Sequence, residues 1–241
     1  MGTKTKHRGK GRKNLHTRWG DIRDLTHKAR SSIGFRVGKK VWARAPARFT
    51  RHALKILGHP VMESWETPYM QKLARIATQS GGTVLEVGFG MGISSRFIQR
   101  YKVQHHIIIE MNNVVAQRAT EFAKRSARPV TVLEGFWEDV IRKIPDDSVD
   151  GILFDTYPLR ESEVHKNHFP FFRIAYRKLK PGGTFTYYSD EIEDFHTKHI
   201  EKLVKAGFKR RNIDSVVVAV RPPKHCLYWK SNKILAPIIK K

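Results

Sequence analysis

The sequence predicts an α/β domain built on a mostly parallel sheet, and three observations predict it. From residue 83 onward, short apolar runs alternate with helix-compatible stretches. The first of these runs, Val84 to Val87, leads directly into Gly88, Gly90 and Gly92 and then into a helical segment from Ile93 to Arg100. The runs also end on Glu86 to Gly92, Glu110, Glu134 to Trp137 and Asp155 to Tyr157, the strand ends where an open parallel sheet binds its ligands.

The elements follow in order. Residues 1–18 are rich in glycine and lysine and are expected to be disordered. From Trp19 to Gly38 the pattern is ambiguous, with one short helix as the reading. Residues 49–57 (FTRHALKIL) place Phe49, Ala53, Ile56 and Leu57 on one helical face, with Gly58-His59-Pro60 as the stop. Pro68 starts the next helix, and Gly81-Gly82 ends it. HHIIIE (105–110) is a second buried strand, followed by a helix over 113–124. VTVLEG (130–135) is the third strand, and residues 145–158 contain the fourth. A helix over 168–183 ends at Pro181-Gly182-Gly183, and TFTYYS (184–189) is the fifth strand. A charged helix over 191–206 ends at Gly207. SVVVAVRPP and HCLYWKSNKILAPII supply two last strands, read as an edge hairpin.

A chain of 241 residues buries one substantial core with room for an appendage, which divides it into a basic extension, 1–40, and one domain, 41–241. No stretch reaches the roughly 18 apolar residues of a membrane span. The N-terminus lacks the apolar core of a signal peptide, and residues 1–14 lack the apolar face of a mitochondrial presequence. The single cysteine, Cys226, is read as structural, without disulfide or metal cluster, so the cytoplasm is the expected compartment. The net charge is +24, and residues 1–50 hold fifteen Lys and Arg against Asp21 and Asp24. Such a field draws polyanions, namely RNA, DNA or an acidic surface, to residues 1–40. The plain alternative is a solubilising tail.

The glycine turn narrows the ligand. A dinucleotide fingerprint needs glycine where Ile93 stands. Alternate glycines two residues after an acid, Glu86, are instead the pattern associated with S-adenosyl-L-methionine. Glu110, followed by Met111, ends the second strand, where it can accept ribose hydroxyls; the alternative is a helix cap. Gly135, Phe136 and Trp137 offer flat faces to an adenine, or are ordinary core aromatics. Asp155 ends an apolar strand at the cleft mouth, where a carboxylate can hold a basic nitrogen; the alternative is a turn aspartate.

Five stretches together resemble guanidinoacetate N-methyltransferase: ILGHPVMESWETPYM (56–70), LEVGFGMGI (85–93), GFWEDV (135–140), DGILFDTYPL (150–159) and LKPGGTFTYY (179–188). The likeness covers about residues 42–230, and arginine N-methyltransferases look similar more distantly. The resemblance implies a class I methyltransferase: a Rossmann-like, seven-stranded, mostly parallel sheet with a C-terminal antiparallel hairpin, using S-adenosyl-L-methionine. It implies that Trp42, Met70, Glu86, the turn from Gly88 through Phe89, Gly90, Met91 and Gly92 to Ile93, Glu110, Met111, Gly135 to Trp137 and Asp155 bind the cofactor. Glu66 and Asp155 match the family's two carboxylates for a guanidino group, with Met62 beside them. That pairing suits the chemistry. A guanidinium is cationic to above pH 12 and a poor nucleophile, and paired carboxylates bind it bidentately and aim one nitrogen. Asp155 is assigned as base and Glu66 as orienting partner, with no metal required.

One departure bears on the substrate. The family carries a longer loop after the fifth strand, with a Leu-Thr-Ser element that binds the substrate carboxylate. Here the segment is SDEIEDFHTKH. Its acids Asp190, Glu191, Glu193 and Asp194 repel a small carboxylate if they face the cleft, or else open a solvated helix. The leading expectation is methyl transfer to a small guanidino substrate, guanidinoacetate or a relative such as arginine. A second is arginine in a peptide or protein. A third, of another class, is a nucleic-acid-associated protein with a methyltransferase-like core. Asp155-Thr156-Tyr157-Pro158 lacks the Pro-Pro motif of nucleobase methylation, which counts against base chemistry.

Overall fold

The structure, a computed structural model, describes residues 38–241. The expectations for residues 1–18, and for a helix between Trp19 and residue 37, lie outside the described residues. Helix α1 (Lys39–Arg44) comes first, followed by three short strands, β1 (Ala47–Phe49), β2 (Ala53–Ile56) and β3 (His59–Glu63). A 3₁₀ turn (Ser64–Glu66) leads into α2 (Thr67–Ala77). Alternation then sets in: β4 (Thr83–Val87), α3 (Ile93–Ile98), β5 (His105–Glu110), α4 (Asn113–Lys124), β6 (Val130–Glu134), α5 (Trp137–Val140) and β7 (Val149–Phe154). The chain continues with α6 (Phe172–Lys178), β8 (Leu179–Tyr187), α7 (Thr197–Lys205), β9 (Ile213–Ala219) and β10 (Lys233–Lys240).

The main sheet has seven strands in the order β6-β5-β4-β7-β8-β10-β9. The first five are parallel; β10 runs antiparallel to both β8 and β9. This is the mostly parallel sheet with a C-terminal hairpin that the alternation predicts. Strand side chains alternate between two cores, as a period of two requires. Val84 belongs to the core that holds α2 and α3, while Leu85 and Val87 belong to the one that holds α6 and α7. Helix α2 presents Tyr69, Met70, Leu73, Ala74, Ile76 and Ala77 to the sheet, a stripe at helical spacing. Its start carries Pro68, as expected, where the missing N–H has no helical partner to lose. Helix α4 is capped by Asn112, whose side chain accepts from the Val114 and Val115 amides. Among the described residues no helix is long and apolar enough to cross a membrane.

Three local expectations are corrected. Residues 49–57 are not helical: they belong to the β1–β2–β3 meander, a separate antiparallel sheet. Leu54 and Ile56 are buried while Lys55 is exposed, a period of two that the nine-residue window also fitted. Leu57 (φ 51°) and Gly58 (φ 83°) make the two-residue, left-handed hairpin turn that settles it for strands. The helix expected over 168–183 stops at Lys178, and β8 already begins at Leu179. Pairing jumps from Val149–Leu179 to Gly151–Thr184, so Pro181-Gly182-Gly183 form a bulge inside the strand instead of a helix stop. The helix expected over 191–206 starts only at Thr197. Before it, Glu191 is buried and its carbonyl accepts from Leu235 N at 2.8 Å, which ties the segment to β10.

Candidate active site

The glycine turn joins β4 to α3 at the carboxyl edge of the sheet. Gly88 has φ 97°, and a Cβ there would stand 1.9 Å from the Asp155 carbonyl oxygen, so only glycine lets the ends of β4 and β7 approach this closely. Beneath the turn lies Glu86, fully buried. It accepts from the Ser94 and Ser95 hydroxyls of α3 and lies 3.0 Å from His106 Nε2 of β5. Three donors compensate the burial of this acid, and it braces the turn from behind. At the next strand end Glu110 is buried, accepting from Phe89 N and Asn112 N at 2.9 Å each. Burial raises its pKa while the backbone donors oppose the rise.

A cavity of about 620 Å³ opens over these strand ends. That is ample for a nucleoside-sized cofactor beside a small substrate. Of the predicted residues it brings together Trp42, Met62, Glu66, Gly88, Gly90, Glu110, Met111, Gly135, Phe136, Trp137 and Asp155 along its wall. Met70, Glu86, Phe89, Met91, Gly92 and Ile93 stand behind the wall; Met70 is packed in the core on α2. Of the four acids in the short segment after β8, only Asp190 lines the cavity, 3.3 Å from His165. Glu191 pairs with His199 at 3.1 Å, and Glu193 with Lys233 at 2.7 Å.

The cavity divides by element. Main-sheet strand ends supply Gly88, Gly90, Glu110 and Gly135 to Trp137, while the meander and its 3₁₀ turn supply Met62 and Glu66. The two halves touch where Met91 N donates to Met62 Sδ at 3.3 Å. Trp42 of α1 closes one side, stacked on Tyr157 with ring centroids 5.1 Å apart and planes 8° apart. Asn112 holds α1 in place by donating from its side chain to the carbonyls of Trp42 (2.8 Å) and Ala45 (2.9 Å).

Glu66 is 2% exposed, and its Oε1 accepts from Glu63 N (2.7 Å) and from the Tyr228 hydroxyl (2.5 Å). Burial first, and the negative Asp155 second, push its pKa up to about 8. Tyr228 was invisible in sequence: it lies 162 residues away, in a stretch read as strand, and no local pattern marks it. Asn112 was not singled out in sequence either; only the helix beginning at residue 113 was. Cys226, two residues before Tyr228, is buried and its thiol pKa is pushed up to about 11, so it stays protonated, in keeping with a structural role.

This sheet order, glycine turn and acid-ended second strand define a class I methyltransferase domain. Residues 35–241 match the guanidinoacetate N-methyltransferase family, and the chain belongs to that family. By its description that family is one of methyltransferases. Protein arginine N-methyltransferase 2 of Kluyveromyces lactis is 33% identical over 136 residues, 54% of this chain and 32% of that protein. The protein of the same name from Emericella nidulans is 34% identical over 197 residues, 75% of this chain and 45% of its own length. The chain thus spans less than half the length of these relatives. In fold it is similar to M. jannaschii TYW2 solved with AdoMet, at TM-score 0.53 and 15% identity over 81% of this chain and 84% of that one. The cavity's own chemistry fits the cofactor: a buried acid, a glycine turn and aromatic faces suit ribose, a close-approaching chain and adenine respectively.

Proposed function

We propose that the chain transfers a methyl group to a guanidino nitrogen of a small substrate, guanidinoacetate or a related compound such as arginine. One observation carries the reading. Glu66 and Asp155 arrive from separate elements at the same cavity wall, close enough for the Asp155 charge to raise the Glu66 pKa. A buried carboxylate beside a second, half-buried one resists carrying its negative charge. A guanidinium relieves that repulsion, and its planar fork of donors suits two acceptors at once. The bound cofactor supplies an electrophilic methyl on a sulfonium and leaves as a neutral thioether.

The residues do the rest. Glu66 Oε1 is occupied by two protein donors, so Oε2 is the oxygen left to meet the substrate. Asp155, at the end of β7, takes the N–H proton as the nitrogen lone pair forms the N–C bond, and Glu66 holds the opposite edge of the guanidino plane. Met62 and the Trp42–Tyr157 stack exclude water from that face. Arginine in a peptide or protein is a second reading. It is supported by the names of the relatives and by Asp190, an added acid on the cavity wall.

The test is methyl transfer from labelled S-adenosyl-L-methionine to guanidinoacetate, free arginine and an arginine-containing peptide. Turnover of either small compound, lost in Glu66→Gln and Asp155→Asn, supports the proposal. Turnover of the peptide alone moves it to the second reading. Cofactor binding with no guanidino compound methylated ends it.

A further inference from the structure

The loop between β9 and β10 turns at Cys226, whose N–H donates to the Pro223 carbonyl at 2.9 Å, and delivers Tyr228 to the cavity. Its ring lies 5.7 Å from that of Trp65, and its side chain is nearly fully buried. The Tyr228 hydroxyl donates to Glu66 Oε1, the oxygen that the Glu63 amide also holds. Two converging donors on one oxygen restrain rotation of the carboxyl group and leave Oε2 outside both hydrogen bonds. We propose that Tyr228 is a positioning residue for methyl transfer: its hydroxyl locks Glu66 so that Oε2 faces the guanidino group. This rests on the guanidino reading above.

The electrostatics around Glu66 give the hydroxyl its leverage. Asp155 faces Glu66 from β7 and Glu63 faces it from β3; the Cys226 thiol and Tyr228 face it from the loop, and Tyr188 lies beyond Tyr228. Burial and both acids favour the protonated carboxyl, while only the Tyr228 hydroxyl and the backbone donor at Glu63 oppose them. A guanidinium needs the ionised form. Below the Glu66 pKa its binding must therefore expel a proton, and each unit added to that pKa makes binding tenfold harder.

The variant is Tyr228→Phe, which keeps the ring against Trp65. The rising limb of kcat/KM against pH should move up by about one unit, giving about tenfold lower activity at pH 7 and recovery on the alkaline side. Cofactor affinity, measured by calorimetry, should stay unchanged and so report an intact fold. A uniform loss at every pH, with the limb unmoved, overturns the proposal. A second measurement needs no turnover. The carbon-13 shift of the Glu66 carboxyl, assigned with Glu66→Gln, should titrate at higher pH in Tyr228→Phe, and an unmoved midpoint overturns the proposal. Full activity in Glu66→Gln would instead remove the two-carboxylate reading, a result distinct from an unmoved limb in Tyr228→Phe.

Discussion

Burial and the neighbouring Asp155 perturb Glu66, and the consequences extend to stability. Folding raises its pKa from 4.5 to about 8, so between those values the folded chain holds a proton that the unfolded chain has lost. Its contribution is therefore fully present below about pH 4.5 and is lost as pH rises through about 8, at a slope approaching roughly 1.4 kcal/mol per unit inside the window. Denaturation of the wild type and Glu66→Gln across pH 5 to 8 should show their stability difference drifting in favour of the variant as pH rises; a constant difference refutes it. In catalysis, Asp155→Asn and Glu66→Gln should each lower kcat/KM about 10²–10⁴-fold, with cofactor affinity retained. At this scale legibility follows chain position. Asp155 was legible because it ends an apolar strand, and Glu66 because its surrounding motif is distinctive. Tyr228 was not legible, because its contact with Glu66 forms only once the loop folds against a residue 162 positions earlier.

Elements meet at a few positions where a single added carbon decides the packing. An alanine Cβ at Gly88 would stand 1.9 Å from the Asp155 carbonyl, and one at Gly151 would stand 1.7 Å from the Ala77 carbonyl, where α2 crosses β7. Gly88→Ala should abolish cofactor binding by calorimetry and destabilise the domain by about 3 kcal/mol, since backbone must move at both strand ends. Gly151→Ala should lower Tm comparably through the helix–sheet contact, away from the cavity. Asn112→Ala removes the α4 cap and both tethers to α1, so cofactor affinity should fall more than the roughly 1 kcal/mol of a lost cap explains. The parallel strands and α4 were legible because their periodicity is long and their glycines and caps are conventional. The meander was not. A nine-residue window carrying Leu54, Ile56 and Leu57 satisfies both periods, and only the left-handed Leu57-Gly58 turn separates them.

Charge belongs to the molecule as a whole. Residues 38–241 alone hold 35 Lys and Arg against 20 Asp and Glu, so the surplus is not confined to the basic N-terminal stretch. We propose that residues 1–40 add a polyanion tether to an already basic domain. Because α1 begins at Lys39, the clean truncation removes residues 1–37. RNA affinity of the truncated chain should be weaker and should depend less steeply on salt, with guanidino turnover unchanged; identical salt slopes refute the tether. The overall architecture was legible from alternation alone, but strand order was not, because nothing local says that β10 enters the sheet between β8 and β9. That insertion has a consequence for biosynthesis. Tyr69 and Ser189 both donate to the Leu235 carbonyl, so the early helix and the loop beside the cavity wait for a partner that is translated late. A nascent chain halted before Lys233 leaves an unfilled slot between two strands and exposes sticky edges to quality-control proteases. Premature stop codons in this last stretch should therefore behave as null alleles, cleared from the cell instead of yielding a slightly shortened enzyme.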